Sequence, residues 1–174
     1  MERLRTHKIV VLALGNLIRS DDAVGLFALR ELEKDATLPE SVTLVEGGTK
    51  GLELLPYICE AARLLILDSV DVGAQPGMIF RVEEQDLRTL PGASSVHELA
   101  LADLLNALRM MGREPEEAVL LGVQPSTTAL GTTLSPSVQR ALPTLLDEVS
   151  MVLSQWASVD EFSAPAAGYA LTAN

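Results

Sequence analysis

The chain has 174 residues, 48% hydrophobic but only 3% aromatic, with a net charge of −11 from 24 acids against 13 bases. That length suits one domain with a core of Leu, Val, Ile and Ala, and the acidic surplus without a basic run argues against nucleic acid or anionic membrane as partners. A single cysteine, Cys59, excludes an internal disulfide and fits a reducing, cytoplasmic setting; its apolar surroundings in "LLPYICEAARLL" read as those of a buried, inert thiol.

The opening "MERLRTHKIVVLALGN" has the charge-then-apolar order of a signal peptide. Its apolar run is short, and charged "IRSDD" follows without a small-residue cleavage site, so Lys8–Leu14 reads as a first strand buried on both faces. No apolar stretch approaches the ~18 residues needed to span a bilayer. After the turn "GNLIRSDDAVG", helical spacing of Val24, Phe27, Ala28 and Leu32 predicts a helix over Asp22–Lys34. Ser41–Gly48 reads as strand two, "GLELLPYICEA" as a short helix, Arg63–Val70 as strand three, and Gly77–Glu83 as strand four behind the turn "GAQPG". "SSVHELALADLLNALRMMG" predicts a helix capped by Ser94 or Ser95, apolar along Leu101, Leu104, Leu105 and Leu108, and ended by Gly112. Glu117–Pro125 reads as strand five. A long helix follows over Leu134–Trp156, with Ser135 as cap, Pro136 in its first turn, and Pro143 as a kink or boundary.

The alternation predicts a three-layer α/β sandwich: a mainly parallel, twisted five-stranded sheet with helices on both faces. Residues 1–157 read as a single domain and 158–174, which lack periodicity, as a flexible tail. The chain is expected to act as a monomer.

In open α/β sheets, sites gather at the carboxyl ends of the strands. Asp21 and Asp22 follow strand one; Gly47, Gly48 and Thr49 follow strand two; Asp68 ends strand three, with Asp71 just beyond; His97 lies in the connection after strand four; Gln124 ends strand five. Asp22, Asp68 and His97 form a donor set suited to a borderline divalent ion such as nickel, zinc, manganese or iron, with positions left open for water or substrate. Each has a plainer reading: Asp22 can serve the helix dipole, Asp68 can cap a loop, and His97 can bond its own turn. An acid ending a buried strand is costly unless partnered, which favours function at Asp68. Asp21 reads as orienting the loop and Arg19 as balancing local charge. His7, the other histidine, falls at the start of strand one. The G-x-G-x-x-G fingerprint, the Walker A loop and the G-x-S-x-G elbow are all missing, and adjacent carboxylates would oppose a pyrophosphate.

The segments "LALGNLIRSDDAVG", "VEGGTKGLELLPYI", "LLILDSVDVGAQPG", "SSVHELALADLL", "LLGVQP" and "LSPSVQRAL" together resemble, in order and spacing over about Lys8–Val152, the nickel–iron hydrogenase maturation endopeptidases. The resemblance implies an enzyme that removes the C-terminal extension of a hydrogenase large-subunit precursor once nickel has been inserted. It places that family's metal-contacting acid, aspartate and histidine on Asp22, Asp68 and His97, as metal-binding and catalytic residues. The nickel would be carried by the substrate, though other divalent ions can occupy such a site. Gly47, Gly48, Thr49 and Gln124 are weaker candidates for substrate binding. Ala13 stands where the family often has glycine, and Ala23 follows the acids where it often has glycine. A nickel-checkpoint or chaperone protein that binds the same precursor without cutting it is the alternative from a different class; a stand-alone metallohydrolase for small molecules is a third.

Overall fold

Five strands assemble in the order β2-β1-β3-β5-β4, from β1 (Ile9–Leu14), β2 (Val42–Gly48), β3 (Arg63–Ser69), β4 (Ile79–Glu83) and β5 (Glu117–Val123). The computed structural model describes residues 8–83, 86 and 96–163, with side chains over 8–83, 86 and 101–158. Four α-helices lie within them: α1 (Val24–Leu32), α2 (Leu55–Ile58), α3 (Val96–Met110) and α4 (Pro136–Ser163). The expected single-stranded run at the start is β1, with every residue buried.

The apolar character of β1, β3 and β5 follows from cover on both faces. Along β1, Ile9, Val11 and Ala13 pack with α1 and α4 in one core, whereas Val10, Leu12 and Leu14 pack with α2 and α3 in a second. The same alternation in β3 sends Leu65 and Leu67 to the first core and Leu64 and Ile66 to the second. The three-layer sandwich is therefore as the residue pattern predicts.

β1 pairs in parallel with both β2 and β3, so the chain leaves it in one direction and later returns on its other side. That makes the carboxyl ends of β1 and β3 the switch point of the sheet, where a crevice opens. β4 is the exception to the parallel rule and runs antiparallel to β5. Its carboxyl end thus lies at the opposite edge from those of the other strands, and the position of His97 needs a different cause. The cause is α3, which leads to the amino end of β5 and packs on the sheet through Leu101, Leu104, Leu105 and Leu108. A helix of 15 residues is about 22 Å long, so it starts back at the carboxyl edge, beside the 3-10 turn Leu52–Leu54 that follows β2. At its other end Gly112 has φ +64°. The Gly112 N–H donates to Arg109 O at 3.0 Å and the Arg113 N–H to Leu108 O at 2.8 Å, the paired bonds of a Schellman motif.

Two expectations change at α4. Pro143 neither ends the helix nor marks a boundary; the helix continues through it. Pro143 is exposed, as is Gln139 one turn earlier, so the carbonyl that loses its partner faces water. The helix also runs to Ser163, beyond Trp156 and past the expected start of the tail at residue 158. At the amino edge of the sheet, buried Arg63 donates from Nε to Glu117 Oε1 (3.2 Å) and from a terminal nitrogen to Trp156 O (3.1 Å), while Trp156 Nε1 donates to Glu117 Oε2 (2.8 Å). This group joins β3, β5 and α4, and composition gave no sign of it.

Candidate active site

The loop after β1 folds back on the strand that delivers it. Gly15 has φ +127°, and a Cβ there would overlap the carbonyl oxygen of Asp22. Only glycine lets this close return occur. Ser20–Ala23 then form a 3-10 turn that runs directly into α1, where the sequence had suggested one helix from Asp22. Gly25 seats that helix: a Cβ would overlap Leu67 O and lie 2.8 Å from Leu14 O, so the helix backbone rests on the ends of β3 and β1 together. Asp22, one turn before Gly25, and Asp68, next after Leu67, are thereby brought to one edge.

Asp22 is half-buried, its Oδ2 shielded from solvent and accepting no hydrogen bond, while the carboxylate keeps another polar or electrostatic interaction. Asp68 is 2% exposed. Its Oδ1 accepts the Ser69 N–H at 2.8 Å, and it too has a further interaction. By the alternation of β3, Asp68 belongs to the face covered by α2 and α3. His97 is in the first turn of α3 on that same face; its side chain lies outside the described residues, as does the whole of His7. Ser94 and Ser95, the expected caps, also lie outside them.

The remaining candidates separate into different roles. Gly47 is buried, and a Cβ there would meet Leu12 Cδ1 at 2.8 Å and Leu14 Cδ2 at 2.9 Å, so its close contact is with β1. Gly48, at φ +59°, accepts the Gly15 N–H at 3.0 Å across a bulge in the β1–β2 register, and Thr49 is exposed beside it. Gln124 is buried and fully engaged within the chain. Its Oε1 accepts the Val72 and Ala74 N–H groups (3.0 and 3.1 Å), and its Nε2 donates to Asp71 Oδ1 (2.8 Å) and Pro125 O (3.3 Å). With both acceptor and both donor positions taken, Gln124 shapes the loop after β3. The Gln124 amide and the Gly73 N–H hold the Asp71 carboxyl below its ordinary value. Cys59, expected buried, is half-buried near the amino end of β3, away from this edge.

Asp21 is the least exposed polar residue here, at 0%. Its Oδ2 accepts the N–H groups of Ser126 (2.8 Å) and Thr127 (3.1 Å), and its Oδ1 that of Ser135 (2.6 Å). Arg19 does more than balance charge, since its Nε donates to Thr128 O at 3.2 Å. The loop after β1 is thus stitched to the loop after β5, a pairing that the residue pattern does not announce.

Comparison with known proteins bears on what such an edge does. Residues 28–152, a span that takes in Asp68 and His97, match the model of the family described as hydrogenase maturation protease. The hydrogenase expression/formation protein HupD of Bradyrhizobium diazoefficiens is 33% identical over 165 residues, covering 92% of this chain and 86% of its own. The chain belongs to the hydrogenase maturation protease family. The hydrogenase 2 maturation protease of Escherichia coli is 33% identical over 150 residues, covering 85% of this chain and 92% of its own. The solved hydrogenase maturating endopeptidase HybD from E. coli superposes with a TM-score of 0.80 at 32% identity, over 85% of this chain and 93% of that one. Membership of the maturation proteases identifies a peptidase, and the α/β sandwich is shared with that solved relative. Among the described residues, no helix is long and apolar enough to cross a membrane.

Proposed function

We propose that this chain is an endopeptidase that removes the C-terminal extension of a nickel–iron hydrogenase large-subunit precursor, and that it recognises the precursor by the nickel already inserted there. The observation that carries the reading is the seating of α1 on the ends of β1 and β3, which brings Asp22 and Asp68 to the switch point of a maturation-protease fold. Two carboxylates and the imidazole of His97 suit a borderline divalent ion. Because the ion is part of the substrate, a sparse ligand set is enough.

Such docking sets the scissile peptide bond beside the two carboxylates. Nickel held there supplies polarisation of the carbonyl or a more acidic water. Asp22 or Asp68 supplies the general base. Gly48 and Thr49 lie at the same edge, where the extended substrate backbone has room to approach. The cell compartment for this reaction is the cytoplasm, and the acting form is a single chain.

The test is incubation with purified precursor, nickel-loaded and nickel-free, followed by mass measurement of the large subunit and of any released peptide. Shortening of the loaded form alone is the expected result. Equal cleavage of both forms would sink nickel recognition. Binding without a released peptide would establish the non-cutting checkpoint instead, and tight metal retention by the purified chain alone would favour a free-standing metallohydrolase.

A further inference from the structure

We infer that Asp21 is a positioning residue, which fixes Asp22 in the site by clasping the loop after β5; the inference rests on the peptidase reading above. A residue needed only to end a strand or start a helix would be served by Ser or Asn at the surface. Asp21 instead places a carboxylate in a fully buried position, which is costly unless the charge is met. It is met by three main-chain N–H groups, those of Ser126, Thr127 and Ser135, at 2.6–3.1 Å. Hydrogen bonds to an ionised acceptor are shorter and stronger than neutral ones.

The backbone bonds around Asp21 run the same way. The Asp21 N–H donates to Thr127 O (3.2 Å), the Ser20 N–H to Gly131 O (2.9 Å), and the Gly131 N–H to Ile18 O (3.1 Å). Ser20 takes φ +47°, rare for a residue with a side chain, and holds it inside this stitching. On the opposite side, Gly15 leaves no gap beneath the Asp22 carbonyl. The Asp22 N–H donates to Arg19 O at 3.0 Å. The main chain of Asp22 is therefore held from both sides, and because β3 lies between β1 and β5, the two stitched loops meet across the end of the strand that carries Asp68. Asp21 itself touches neither substrate nor metal; it acts through its neighbour.

Substitution by Asn keeps the shape but turns one acceptor into a donor facing a donor, so either the Ser126 and Thr127 bonds or the Ser135 bond is lost. In the Asp21→Asn variant, kcat/KM for nickel-loaded precursor should fall about 100-fold, the scale of a 1 Å misplacement, with Trp156 fluorescence unchanged. An unchanged kcat/KM, or a loss matched by a change in Trp156 fluorescence, would overturn the inference. A second measurement stands without any variant. In the wild-type chain, amide hydrogen exchange at Ser126 and Thr127, both on exposed loop residues, should be slowed at least about 100-fold relative to an unstructured peptide; exchange at the unstructured rate would overturn the clasp. If the wild type left the precursor whole, the peptidase reading would fail, and the exchange rates would still decide the clasp.

Discussion

At Gly25 there is no room for even a methyl group, because the backbone oxygens of Leu67 and Leu14 occupy its place. Gly25→Ala should therefore cost about 1–3 kcal/mol of stability, the range for forced overpacking, and abolish precursor cleavage by lifting Asp22 away from Asp68. Thermal unfolding and the mass of the large subunit check the two effects; normal cleavage would show that the helix start can shift without harm. Asp68→Asn, close to isosteric, should leave the fold intact and reduce kcat by about 10²–10⁴, the usual worth of an acid–base group. The burial of Asp68, 2% exposed, was legible as a question because an acid that ends a buried apolar run is costly unless partnered. Gln124 also ends a buried strand, and its amide is engaged within the chain in a way the residue pattern did not announce. Two of its partners are main-chain N–H groups of a loop some fifty residues away, and main-chain donors carry no signature in a sequence. Asp21 was half-legible for the same reason: a loop-orienting role could be read beside Asp22, but not its burial or the three amides that answer its charge.

Among elements, the helices display both the reach and the limits of residue pattern. Gly112 could be placed at the end of α3 because a left-handed residue is needed there, and it has φ +64°. Gly112→Ala should cost about 1 kcal/mol, read from the shift in the denaturation midpoint. Pro143 invited a boundary by its chemistry, yet solvation of the carbonyl behind it lets α4 continue. Removing that defect with Pro143→Ala should stabilise the chain by about 1–3 kcal/mol, measured the same way. The reversal of β4 was not legible, since strand direction depends on where a connection leads rather than on the strand's own residues. The loop after β3 offers a pH test. Its Asp71 is held below the ordinary carboxylate value by Gln124 first and Gly73 second. A lowered folded-state value means the tether persists at and above the ordinary carboxylate range and is lost only as pH falls through the lowered value. The Gly73 amide resonance should titrate with a midpoint below that of an unstructured aspartate, and Gln124→Ala should move the midpoint up.

For the whole molecule, the site edge and the opposite edge are secured by different means. The amino edge is joined by Arg63, Glu117 and Trp156. Arg63→Ala should cost about 1–3 kcal/mol by removing partners from buried or half-buried groups, and the emission of the only tryptophan should report the loss. Layer order and sheet class were legible because burial on two faces writes itself as unbroken apolar runs; the Arg63 group was not, because it joins residues far apart in the chain. The site edge depends on a still longer reach. Asp21 lies 105, 106 and 114 positions before the residues whose amides hold it. During synthesis on the ribosome, the loop bearing both acids emerges on the order of ten seconds before its clasp exists, at ordinary elongation rates. A nascent chain, or a fragment cut short before Ser126, carries every strand of the sheet and both carboxylates but lacks all three amides that meet Asp21. On the positioning inferred above, precursor cleavage should therefore wait on the segment that supplies the amides of Ser126, Thr127 and Ser135.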